Sequence, residues 1–247
     1  MGTVRETNPL YAKIESTLAS EIAAGVLPPH SQLPTEDRLI ERFGASRTTV
    51  RKAIENLVAR GLVEIRRGIG TFVAQPKIVQ ELTELTGFVE DMRALGRTPT
   101  ARLLESQIVP ADADVARQLA VPTGCLVMRI QRVRLADGVA MSFDETYLPR
   151  EIGEKVVTHD LETEPIFSLL EERYHLPLIE AEYRLEAITA TPAVAQALGV
   201  EPGNPIFLIE RTSYSDGSRP IDYERLHYRG DLIRFNTRLS RRPRARS

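Results

Sequence analysis

Two groups of residues in this sequence have the types and spacing to do chemistry. Residues 46–70 hold Arg47, Arg51, Lys52, Arg60, Arg66 and Arg67 against only Glu55 and Glu64, a local charge of +4 in a 247-residue chain whose formal net charge is −2. A guanidinium is a rigid fork of N–H donors that suits phosphate oxygens and the paired acceptors of a guanine edge, and the hydroxyls of Thr48 and Thr49 can serve the same partners. The second group is Arg132 and Arg134, two residues apart, with Glu145; a similar set, Arg211, Asp222, Glu224 and Tyr228, follows later. Arginines at alternate positions suit a small anionic molecule. Nucleophilic and metal chemistry find little support: Cys125 has no Cys or His beside it, and His30, His159, His175 and His227 lack ligand spacing. Neither a metal nor a cofactor is expected, and Cys125 reads as a small buried residue on a strand.

The first group needs a scaffold, and the local signals supply one. Thr35 can cap a helix over residues 36–43 that ends at Gly44; Ser46 can cap a second over residues 47–60 that ends at Gly61. On the second, Val50, Ala53, Ile54 and Leu57 follow an i, i+3, i+4, i+7 pattern and form one buried stripe, which leaves Thr48, Arg51 and Lys52 outward and Arg47 on the flank. Two short β-branched runs, residues 62–65 and 71–74, flank the basic turn Arg66-Arg67-Gly68-Ile69-Gly70 and read as a wing. A helix over residues 9–24, with Tyr11, Ile14, Leu18 and Ile22 on one face, completes a three-helix core. A charged helix face alone is usually just solvated; helix, tight turn, capped basic helix and basic wing in this order point to nucleic acid.

The second group sits in an internal repeat. Ala116, Leu119, Val121, Gly124, Arg132, Asp137, Gly138 and Glu145 recur 79 residues on as Ala195, Leu198, Val200, Gly203, Arg211, Asp216, Gly217 and Glu224. Each copy reads as a short helix, a Gly turn, a strand, an Asp-Gly hairpin and a returning strand, so a pseudo-symmetric antiparallel sheet covered by helices is expected, of class α+β. With Asp137-Gly138 as a two-residue turn, Leu135 faces Ala140, and Arg132, Arg134, Glu145 and Tyr147 share the face of Met128 and Ile130; Arg211, Asp222, Glu224 and Tyr228 share a face in the second copy. Such a face is either a ligand pocket, with Glu145 accepting from hydroxyl or amine groups, or a ladder of structural ion pairs. A further helix over residues 87–95 begins after Leu85-Thr86-Gly87, and its start reads either as an anion site or as an ordinary helix end.

Length and composition, 42% hydrophobic and 27% charged, suit two ordinary globular domains. No run approaches the roughly 20 apolar residues that span a bilayer, so a cytoplasmic protein without a membrane partner is expected. The divisions expected are 1–75 for the winged helix-turn-helix, 76–85 for a linker, 86–240 for the sheet domain and 241–247 for a disordered basic tail.

Leu33-Pro34-Thr35-Glu36, Arg47-Thr48-Thr49-Val50-Arg51, Gly61-Leu62-Val63 and Arg67-Gly68-Ile69-Gly70-Thr71-Phe72-Val73 resemble the winged helix of GntR-family transcription regulators, over residues 9–74. Gly96-Arg97-Thr98-Pro99, Arg132 to Gly138, Glu145-Thr146-Tyr147-Leu148-Pro149 and Tyr228-Arg229-Gly230-Asp231 are similar to the UTRA effector domain of the HutC subfamily, whose fold is related to chorismate lyase. The resemblance implies DNA contacts at Arg47, Thr48, Thr49 and Arg51 on the recognition helix and at Arg67 and Gly68 on the wing. It implies effector contacts at Gly87, Phe88, Arg132, Arg134, Glu145, Phe167, Glu224 and Tyr228. Two departures are visible. Asp37 stands where the family often has a phosphate-binding arginine, with Arg38 adjacent as its replacement, and Pro165-Ile166-Phe167 stands where sugar-phosphate-sensing relatives often have a serine. The function implied is a regulator, in the first instance a repressor, that binds a pseudo-palindromic operator in double-stranded DNA as a homodimer and is released by a small anionic metabolite. The alternatives are a lyase-like enzyme with a DNA-binding appendage and a regulator without an effector; fold kinship alone does not establish chemistry.

Overall fold

A computed structural model describes residues 9–74 and 77–240 and divides the chain into two compact units that meet between Lys77 and Ile78. The basic tail expected over residues 241–247 lies outside the described residues.

The first unit contains α1 (Leu10–Ala23), α2 (Glu36–Phe43), α3 (Arg47–Ala59), β1 (Val63–Arg66) and β2 (Gly70–Val73). The capping signals operate as their chemistry requires. The Arg38 amide donates to Thr35 Oγ1 at 3.4 Å, the Thr49 amide to Ser46 Oγ at 3.2 Å, and Gly44 takes the left-handed φ of 60° that closes α2. Val50, Ala53, Ile54 and Leu57 of α3 bury their stripe against Ile14 and Leu18 of α1 and Leu39 of α2. Each such large side chain removed from water contributes about 1.5–3 kcal/mol, so this stripe sets which face of α3 is left outward. β1 and β2 pair antiparallel, Val63 opposite Val73, as a two-stranded wing. The wing is tied down at Gly70: the Gln32 side chain donates to the Ile69 carbonyl at 3.1 Å and lies where a Cβ would stand. The φ of 146° at Gly70 favours glycine there.

The second unit opens with β3 (Ile78–Glu81) and α4 (Phe88–Ala94). Then come β4 (Pro99–Pro110), α5 (Ala113–Gln118), β5 (Leu126–Ala136), β6 (Val139–Pro149), α6 (Arg150–Val156) and α7 (Ile166–Ser168), which runs into a π-wound turn, Leu169–Arg173. The chain closes with β7 (Glu180–Thr189), α8 (Pro192–Leu198), β8 (Pro205–Ser215), β9 (Arg219–Arg229) and β10 (Ile233–Asn236). Six strands form one antiparallel sheet in the order β4-β5-β6-β9-β8-β7. The two repeats are its two halves, and they meet at β6 and β9, where Glu145 lies opposite Arg225. On one face the sheet packs against α4, α6, α7 and the π-wound turn, and on the other against α5 and α8. Within the segment expected as a linker, β3 pairs in parallel with β10, Gln80 opposite Phe235.

One register expectation fails. The Asp137-Gly138 turn has two residues, with φ of 51° and 78°, and Leu135 faces Ala140 as expected. A β-bulge then follows: Arg134 pairs with Ser142, so Met141 is extra, and Arg132 faces Asp144 rather than a residue in register with Glu145. A one-residue slip moves every later side chain to the other face. Glu145 and Tyr147 therefore leave the arginine face: Glu145 accepts from Gln131 Nε2 at 2.9 Å, and Tyr147 stacks on Tyr223 under α5. Asp144 takes the place expected for Glu145, 80 residues before Glu224 rather than 79. Cys125 also departs from expectation: it is exposed, in the turn before β5.

Candidate DNA interface and effector cavity

On the first unit, Arg47, Thr48 and Arg51 project from the exposed N-terminal half of α3. Thr49 is half-buried, its Oγ1 2.8 Å from Ser46 Oγ, so it supports the helix start more than it reaches outward. Arg47 Nη2 lies 2.7 Å from Asp37 Oδ1, and Arg51 Nε lies 3.0 Å from Glu36 Oε2. Both pairs are solvent-exposed, with side-chain exposures of 61% and 79% in the first, so each holds at most about 1 kcal/mol and can be exchanged for a phosphate or a base edge. Arg38 on α2 and Arg67 at the wing tip are exposed and make no side-chain hydrogen bond among the described residues; Gly68 turns the wing with φ of 75°.

On the second unit, a cavity of about 230 Å³ opens between the sheet, α4 and α7. Its walls include Gly87, Phe88, Arg134, Phe167, Glu224 and Tyr228 from the expected set, together with Gln80, Thr86, Asp144, Tyr183 and Arg211. Arg134 Nε donates to Asp144 Oδ2 at 3.0 Å, and Ser142 Oγ donates to the other carboxylate oxygen at 2.6 Å. Arg211 donates to Glu224, to the Thr86 carbonyl at 3.2 Å and to Tyr183 Oη at 3.2 Å, with its guanidinium 4.4 Å over the Phe167 ring. Thr146 Oγ1 donates to the remaining Glu224 oxygen at 3.0 Å.

Arg132 differs from expectation. It is fully buried and does not line the cavity; its Nη1 is 3.5 Å from the Leu161 carbonyl, and its Nε and Nη2 have no partner among the described residues. Burial, and then the like charge of Arg134, push its guanidinium down to about 9. Arg132 therefore adds positive charge behind the cavity wall without touching its contents. Burial and the nearby Glu224 carboxylate push Asp222, wholly buried on the same face, up to about 7, while Glu224 is held below its ordinary value because Arg211, Arg132 and Arg134 outweigh its burial. Three buried arginines thus face the carboxylates of Asp144 and Glu224, with the Asp222 carboxyl half-protonated near neutral pH. At the start of α4 the Gly87 amide is already used, donating to Glu90 Oε2 at 3.1 Å, so this end reads as an ordinary helix start.

Asp144 and Gln80 were the residues that sequence reasoning missed. The bulge that brings Asp144 in carries no residue signal of its own, and Gln80 sits on a four-residue strand whose partner lies near the far end of the chain.

Comparison with known proteins agrees with both units. Residues 10–73 match the family described as bacterial regulatory proteins, gntR family, and residues 94–234 match the UTRA domain. The HTH-type transcriptional repressor NagR of Bacillus subtilis is 35% identical over 227 residues, covering 92% of this chain and 93% of that one. The histidine utilization repressor of Pseudomonas putida is 30% identical over 233 residues, 94% of this chain and 93% of that one. Among solved structures, PhnF from Mycobacterium smegmatis superposes with a TM-score of 0.68 at 27% identity, covering 94% of this chain and all of that one. With a basic recognition helix and wing on one unit and an arginine-bearing cavity on a UTRA sheet, the chain belongs to the GntR family of bacterial regulatory proteins, HutC subfamily, and is a DNA-binding transcriptional repressor.

Proposed function

We propose that this repressor binds a pseudo-palindromic operator as a homodimer and leaves it when a small anionic metabolite occupies the cavity of the UTRA unit. The observation that carries the effector half of this reading is the pair of buried guanidiniums on the cavity wall, Arg134 and Arg211, backed by Arg132: among the described residues Arg211 Nε and Arg132 Nε and Nη2 have no hydrogen-bond partner. Buried donors left unsatisfied are costly, so an oxyanion against these guanidiniums is favoured even though Glu90, Asp144, Glu172 and Glu224 share the wall. A carboxylate or a phosphate monoester fits the guanidinium forks. In this reading two copies related by a twofold axis present two recognition helices in opposite senses and demand two half-sites, which is why the operator is pseudo-palindromic.

On α3 and the wing, Arg47, Thr48, Arg51 and Arg67 make the DNA contacts, with Arg38 reaching phosphate and Thr49 holding the helix start. An effector can shift the DNA equilibrium only through its differential affinity for the two states. A thermal-shift screen with anionic metabolites tests the cavity: a ligand that raises the melting temperature of the wild-type chain should fail to do so for Arg134→Ala, because native-state binding stabilises by mass action. Equal shifts in both proteins would place the anion elsewhere. Footprinting tests the dimer, and protection of one asymmetric half-site would contradict it.

A further inference from the structure

Resting on that reading of the cavity, we propose that Gln80 recognises the rest of the effector: its side-chain carbonyl accepts from a hydroxyl or ammonium group on a molecule whose anionic group lies against Arg134 and Arg211. Gln80 is a cavity-wall residue on β3 and is 8% exposed. Its Nε2 donates to Asp91 Oδ2, while Thr86 Oγ1 donates to Asp91 Oδ1 at 2.6 Å. Ionised Asp91 only accepts, so it is the amide nitrogen that faces it, although burial raises the Asp91 carboxyl above its ordinary value. With the amide so placed, Oε1 is buried and has no partner among the described residues. A buried acceptor without a donor is disfavoured, and a ligand that supplies the donor relieves that penalty.

The neighbouring groups fix what kind of ligand can do so. Arg211 Nη1 donates to the Thr86 carbonyl, so Gln80, Asp91, Thr86 and Arg211 form one hydrogen-bonded series from β3 to β8. At one end of the series sits a guanidinium, at the other a buried acceptor without a donor. A molecule that satisfies both has an oxyanion at one end and a donor a few atoms away. Phosphorylated polyols, phosphorylated amines and hydroxy or amino acids qualify; fatty acids and simple aliphatic phosphates do not. The Glu145 carboxylate, expected for this task, lies on the other face of the sheet, and Gln80 supplies the acceptor instead.

Three phosphate monoesters that differ only in the distal group test the assignment: ethyl phosphate, glycerol 3-phosphate and phosphoethanolamine, titrated calorimetrically into the full chain. Wild-type protein should bind the second and third roughly fivefold more tightly than the first, the ratio given by one net hydrogen bond. In Gln80→Leu the ratio of the second and third to the first should fall to about one, whatever the change in absolute affinity; Gln80→Met serves the same purpose should the leucine variant not fold. A preference that persists in Gln80→Leu and Gln80→Met, or its absence from the wild type, overturns the role of Gln80 and leaves the anion site standing. If none of the three esters binds the wild type, or if Arg134→Ala binds them equally well, the cavity reading and the role of Gln80 fall together.

Discussion

Replacing Asp144 and Glu145 separately by alanine is the sharpest test of the sheet register, because the bulge at Met141 decides which of the two faces the arginines. Asp144 is 3% exposed and accepts from Arg134 Nε at 3.0 Å and from Ser142 Oγ at 2.6 Å. Its removal leaves Arg134 buried beside Arg132 without a counter-charge, and breaking a buried pair from one side costs about 3–5 kcal/mol. That is a large part of the roughly 5–15 kcal/mol that holds a domain folded, and at about 2–4 °C per kcal/mol it lowers the melting temperature by about 10 °C. Glu145 is half-buried and keeps one neutral donor, Gln131, so its alanine variant should lose only about 1 kcal/mol. Tyrosine fluorescence follows the right unit: the chain has no Trp, and six of its seven Tyr lie after Lys77, Tyr11 being the exception. Urea unfolding of both variants under identical conditions gives the comparison. Equal losses, or a larger loss for Glu145→Ala, would refute the bulged register and with it the composition of the cavity wall.

Three further outcomes follow from the same geometry. Arg51→Ala should cost about 1–3 kcal/mol of operator affinity and relax one base position if Arg51 reads a guanine, or weaken all sequences alike and flatten the salt slope by about one if it touches phosphate; gel shifts that show no change for Arg51→Ala and Arg47→Ala would remove α3 from its role. Asp37→Asn releases Arg47 from its 2.7 Å partner and removes an anion from the DNA-facing side, so affinity for an arbitrary duplex, read by fluorescence anisotropy, should rise severalfold, and unchanged or weaker binding would contradict the competition between Asp37 and phosphate. Burial raises Asp222 from 3.8 to about 7, so the folded state holds a proton that the unfolded state has lost, and stability falls as pH rises through this window. His227, lowered from 6.5 mainly by burial, acts oppositely but only below about pH 6.5, so the loss between pH 6.5 and 8 belongs to Asp222 and should disappear in Asp222→Asn; a loss that persists in that variant has another source.

Much of the first unit was legible because its signals are local. Thr35, Gly44, Ser46 and Gly61 mark helix ends within a few residues of the groups they satisfy, and the stripe Val50, Ala53, Ile54 and Leu57 needs no knowledge of what it packs against. In the second unit the repeat disclosed the strands, the hairpin after Ala136 and the alternation of Arg132 with Arg134. What stayed hidden was non-local or lacked a residue preference. Met141 is an ordinary apolar residue in an ordinary strand, yet its extra place in the ladder exchanges Asp144 for Glu145. The pairing of β3 with β10 joins residues as far apart as Glu81 and Asn236, 155 positions, and nothing in the four residues of β3 announces so distant a partner. Arg132 was placed on the right strand face, but its depth behind Arg134 depends on how α6, α7 and the segment around Leu161 close over it.

The meeting of the two repeats at β6 and β9 bears on how the chemistry of the cavity wall can change. Were the halves separate identical chains, every substitution would appear twice, and a residue useful on one side of the axis would be imposed on the other. Joined in one polypeptide, they are free to diverge. Equivalent places already differ: Arg134 and Ser142 in the first half correspond to Ser213 and Asp222 in the second, so one half has a cation where the other has a serine, and a serine where the other has an acid. Arg211 meets the cavity while its twin Arg132 is sealed beneath the surface. Single substitutions on one half can therefore retune the chemistry that the cavity accepts, while the other half keeps the sheet intact.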